Sequence, residues 1–156
     1  MTAAEWWFYH IEHTSLDAAV APLIEKCLER KWRVVVVGQD ETLERLNRAL
    51  WTYREDSFLP HGRARTDAAK HPVLLSTEAV GTNGAKVALL LDGSDADETA
   101  FERVMVVFDG GDETARGKAR QQYKAATESG GAARYFQQER GGGWKEFKRD
   151  EQPSAS

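Results

Sequence analysis

Few side chains in this 156-residue sequence are placed to do chemistry, and most of them are scattered. The histidines are His10, His13, His61 and His71, and Cys27 is the single cysteine, so neither an internal disulfide nor a paired Cys/His zinc spacing is available. At the end of a strand His10 and His13 point to opposite faces and share no metal. Cys27 falls on an apolar helical stripe, where a small buried hydrophobe is expected rather than a nucleophile. No nucleophile meets a base, so catalytic residues, a metal and a cofactor are not expected.

Phosphate chemistry is equally poorly served. Gly111 to Lys118 has the outline of a P-loop, but five residues rather than four precede the Gly117-Lys118 pair, and Ala119 stands where Ser or Thr would hold magnesium. A dinucleotide turn needs glycines where the first strand meets its helix, and here that turn reads Glu12-His13-Thr14-Ser15. The next turn, Gly38-Gln39-Asp40-Glu41, follows one glycine with two carboxylates. A small nucleotide-binding domain or enzyme using the carboxyl edge of its strands is therefore the weaker alternative.

Binding chemistry is better represented. Arg116, Arg120 and Lys124 recur every four residues and form one basic stripe, with Tyr123 beside it. Such a stripe can pair with carboxylates while the ring and the side-chain stems pack an apolar residue. A second cluster, Ala49-Leu50-Trp51 followed by Ser57-Phe58-Leu59-Pro60-His61, places large apolar groups at a helix end and loop, where they can anchor a protein interface.

The elements that must position these groups follow from periodicity. Trp6 to Ile11 reads as a first strand, Ser15 caps a helix running through Trp32, and Val34-Val35-Val36-Val37 is a central strand covered on both faces. Asp40 caps a second helix carrying Leu43, Leu46, Leu50 and Trp51, and a loop runs from Ser57 to His71. Val73 to Ser76 and Lys86 to Leu91 are two further strands, expected to pair directly across Thr82-Asn83-Gly84. A helix from Asp97 or Thr99, carrying Phe101, Val104, Met105 and Phe108, is expected to stop at Gly110-Gly111. The last helix spans Asp112 to about Ser129, and Arg134 to Gln138 and Trp144 to Phe147 make a hairpin about Gly141-Gly142-Gly143.

This order predicts an α/β Rossmann-like three-layer sandwich with a mostly parallel central sheet. Residues 1–147 make a single domain and 148–156 a polar tail. Hydrophobic residues at 41% and charged residues at 29% suit a globular protein, and 25 acids against 21 bases give a net charge of -4, which confines any anionic partner to a local basic patch. That charge also argues against direct capture of single-stranded DNA by the basic helix. Without a cationic leader or an apolar run long enough to span a bilayer, the expected location is cytoplasmic, with no membrane partner.

Phe8-Tyr9-His10, the Ala49-Leu50-Trp51 to Phe58-Leu59-Pro60-His61 block and Ala119-Arg120-Gln121-Gln122-Tyr123-Lys124 together resemble the chi subunit of bacterial DNA polymerase III holoenzyme over residues 5–147. The resemblance implies a noncatalytic accessory subunit of the clamp loader complex. Such a subunit binds the acidic C-terminal tail of single-stranded DNA-binding protein (SSB) and reaches nucleic acid only indirectly. Carried over, the tail-binding residues are Arg116, Arg120, Tyr123 and Lys124, with Arg116 where Lys also occurs in the family. The surface for the psi subunit or its equivalent falls on Trp51, Phe58, Pro60 and His61, and a DNA-repair helicase is a further partner of that surface.

Overall fold

The computed structural model describes residues 4–51, 61–63, 72–79, 84–96, 100–128, 132–141 and 143–147. Chain order is β1 (Glu5–Ile11), α1 (Leu16–Glu29), β2 (Val34–Val37), α2 (Asp40–Trp51), β3 (His61–Arg63), β4 (Val73–Ser76), β5 (Val87–Leu90), β6 (Arg103–Asp109), α3 (Glu113–Glu128), β7 (Ala133–Gln138) and β8 (Trp144–Phe147). The described strands form one sheet in the order β3-β4-β2-β5-β6-β1-β7-β8. Every neighbouring pair is parallel except β7 and β8, which form the expected antiparallel hairpin with Tyr135 opposite Phe147 and Gln138 opposite Trp144.

Local chemistry starts the helices where the sequence predicts. The Ser15 hydroxyl accepts the Ala18 N–H at 3.2 Å and opens α1, which ends at Glu29 rather than Trp32. Asp112 Oδ1 accepts from the Thr114 and Ala115 N–H groups at 3.1 and 3.2 Å and opens α3. On α3, Ala115, Ala119 and Ala126 face inward with Gln122, so the helix lies close to the sheet while its longer side chains project from the flanks.

Three expectations are corrected. The segment read as a helix carrying Val104, Met105 and Phe108 is β6, a central strand between β5 and β1. Its run from Val104 to Phe108 is buried throughout, with no polar face for a surface helix to show, and is rich in β-branched valine. The strands β4 and β5 do not pair with each other: both run parallel to β2, and Val35 stands between Leu74 and Ala88. The span read as loop from Ser57 to His71 contains the short strand β3, parallel to β4.

Side chains alternate between two buried clusters. Tyr9, Ile11, Val34, Val36, Met105 and Val107 pack with α1 and α2, whereas Trp6, Phe8, Val35, Val104, Val106 and Phe108 pack with α3. Helices α1 and α2 thus cover one face of the sheet and α3 the other. Among the described residues, no helix is long and apolar enough to cross a membrane.

Candidate functional site

Helix α3 carries Arg116, Arg120, Tyr123 and Lys124 on the flank that turns toward β1 and β7. Arg120 and Lys124 are exposed, and Arg116 and Tyr123 are half-buried. The Tyr123 ring meets Phe8 edge-on at 5.4 Å and Tyr135 at 6.1 Å, so it is seated on the core while remaining part of the surface. Lys124 lies 4.0 Å from Glu128 one turn on, with both groups well exposed, an interaction that solvent leaves weak. The opposite flank belongs to the fold: Lys118 pairs with Asp95 at 3.1 Å, and Gln122 Nε2 donates to the Ser94 carbonyl at 3.0 Å.

The sheet adds residues to this surface that helical spacing does not reveal. Tyr135 of β7 contacts Phe147 of β8 at 6.4 Å, and the Lys145 ammonium lies 5.3 Å from the Phe147 ring. Two arginines, two lysines, two tyrosines and a phenylalanine are therefore contributed by three elements. The signal for Tyr135 and Phe147 was alternation along two strands, but only the register of β7 on β1 puts Tyr135 beside α3, with Phe147 next to it on β8.

Beneath Tyr135 sits His10, 1% exposed, with Nδ1 2.8 Å from the Tyr135 hydroxyl and Nε2 3.4 Å from a Glu12 oxygen. With the proton on Nε2, which makes no hydrogen bond among the described residues, Nδ1 accepts from the tyrosine. Gly110 closes over the ring so tightly that a Cβ there would stand 2.1 Å from Nε2. Burial depresses the His10 pKa, Glu12 opposes this, and Arg116 and Arg120 add to the depression. Burial likewise pushes the Tyr135 pKa up to about 12, while Arg116 and Arg120 pull it down. The two arginines thus act on the groups packed under Tyr135.

Both turns weighed for phosphate are filled by the chain's own side chains. Gln138 Oε1 accepts from the N–H groups of Glu12, His13 and Thr14 at 3.0, 2.8 and 3.2 Å, occupying the place an anion would take. At the second turn, Asp92 accepts the Gln39 N–H at 2.8 Å and crowds Gly38. Cys27 is buried, and its thiol pKa is pushed up to about 11 by burial. Among the described residues, no three His, Cys, Asp or Glu side chains stand together to hold a metal ion.

Of the second surface, Trp51 closes α2 and His61 opens β3 as backbone positions, while Phe58 and Pro60 lie outside the described residues, as does His71.

The described residues form an α/β fold with a mostly parallel sheet, and α3 carries cations and an aromatic ring on one flank. The family of the DNA polymerase III chi subunit, HolC, matches residues 1–134, and the chain belongs to that family. A protein of Rickettsia prowazekii (strain Madrid E) named "Probable DNA polymerase III subunit chi" is 29% identical over 111 residues, covering 65% of this chain and 67% of that one. The family is that of an accessory subunit of DNA polymerase III, which ties the chain to DNA replication.

Proposed function

We propose that this protein is the noncatalytic subunit through which the polymerase III clamp loader complex holds SSB. Arg116, Arg120 and Lys124 pair with the carboxylates of the acidic SSB tail, and Tyr123 packs its apolar end. The convergence of these four residues with Tyr135 and Phe147 supports this reading most strongly: a chain terminus that combines carboxylates with an apolar residue needs both cations and rings. We extend the site to Tyr135, Phe147 and Lys145.

The rest of the reading attaches to this site. Residues 1–147 act as one Rossmann-like three-layer domain, with 148–156 as a polar extension. The region of Trp51, Phe58, Pro60 and His61 faces psi or its equivalent, and a DNA-repair helicase competes for it. The protein works in the cytoplasm and reaches single-stranded DNA through SSB.

A pull-down with full-length SSB and with SSB lacking its final acidic residues tests the proposal. Capture of the full-length protein alone supports it, whereas equal capture of both forms places the contact elsewhere.

A further inference from the structure

On the face of the sheet opposite α3, between α1 and the β7–β8 hairpin, lies a half-open cavity of about 450 Å³, within the usual size range of small-ligand sites. Five aromatic rings line it: Trp7, Tyr9, Trp32, Phe136 and Trp144. Arg134 of the lining lies 4.7 Å from Trp7 and 5.2 Å from Phe136, and Arg103, which does not itself line the cavity, lies 4.4 Å from the Trp32 ring and 4.1 Å from Trp7. Phe136 stacks on Tyr9 at 4.9 Å, and Tyr9 meets Trp144 edge-on at 5.1 Å.

The cations around these rings are unequally paired. Glu146 holds Arg134 through two bonds of 2.7 and 2.8 Å, and Glu5 stands 3.6 Å from Arg103. Lys26 and Arg30, one turn apart at the end of α1, are exposed cavity-lining cations that stand in no ion pair among the described residues, Arg30 lying 5.0 Å from the Trp32 ring. No carboxylate is among the cavity's lining residues. The cavity therefore combines five aromatic rings among its thirteen lining residues with two cations at its rim that stand in no ion pair among the described residues.

We propose that this cavity binds a nucleotide, with the base against the aromatic wall and the phosphate against Lys26 and Arg30. A flat ring bearing an anion matches both halves of the lining. A carboxylate-rich peptide would need more unmatched cations than these two, and a purely apolar ligand would leave them unused. The site lies apart from the turns closed by Gln138 and Asp92, so the closing of those turns does not bear on it. It is also independent of the acidic-tail site on α3.

The same chemistry is offered by a free nucleotide and by one residue of a single strand. The full-length protein is titrated calorimetrically with thymidine monophosphate, with a twelve-nucleotide oligothymidine and with an oligoglutamate peptide. Saturable binding of either nucleotide probe is expected, reduced about tenfold or more by Arg30→Glu and by Lys26→Glu, both surface changes compatible with folding. Tighter binding of the oligomer identifies the strand as the source, and equal binding identifies the free nucleotide. Absence of saturable nucleotide binding, equal affinity in both variants, or preference for oligoglutamate overturns the proposal.

Discussion

The His10 imidazole holds the hydroxyl of Tyr135 at 2.8 Å across 125 positions of sequence, joining the buried end of β1 to the surface of β7 beside α3. The ring that contributes to the candidate tail site is thus fixed from below. Tyr135→Phe removes the bond and leaves Nδ1 of a buried imidazole unpaired, at an expected cost of about 1 kcal/mol in chemical denaturation. Because the ring remains, affinity for an acidic tail peptide should fall far less than in Tyr135→Ala. Equal losses in the two variants would mean that the ring plays no part in binding.

His10 also sets a pH dependence. Its folded pKa lies below the ordinary value of 6.5, so the unfolded chain binds the proton more readily. Its stabilising contribution is complete above pH 6.5 and is lost as pH falls through the lower folded value. Glu12 and Asp109 oppose the shift, and Arg116 and Arg120 reinforce it. Melting temperatures measured from pH 7.5 down to pH 5 should therefore fall less steeply in His10→Leu than in the unaltered protein. Parallel curves would remove His10 as the cause.

Gln138 closes the β1–α1 turn with one oxygen accepting from three backbone N–H groups, while its amide donates to Thr14 Oγ1 at 2.8 Å. Gln138→Ala should cost about 1 to 3 kcal/mol, since three donors lose their acceptor together. Sulfate added to this variant should restore stability by taking the vacated place, with little effect on the unaltered protein. A variant as stable as its parent, or indifferent to sulfate, would show that the turn does not depend on this side chain.

Much of this arrangement was legible along the chain, because burial and helical period leave local marks. The valines of β2, the Ser15 cap of α1, the basic stripe of α3 and the C-terminal hairpin could all be read directly. β6 was misread because Val104, Met105 and Phe108 happen to fit helical spacing, although the segment is apolar on every side. The order of strands is a nonlocal property, and nothing near Val73 or Val87 records that β2 passes between β4 and β5. Tyr135 and Phe147 were hidden for the same reason: the place of Tyr135 against Tyr123, and of Phe147 against Tyr135, depends on pairing with distant β1.

The most direct test of the central claim is a calorimetric titration of a peptide carrying the acidic SSB tail into the unaltered protein and into Arg120→Ala, repeated at increasing salt. The substitution should weaken binding by about 1 to 3 kcal/mol, the scale of a charge-assisted contact, and salt should weaken binding to both proteins. Unchanged affinity in Arg120→Ala, or binding indifferent to salt, would contradict it.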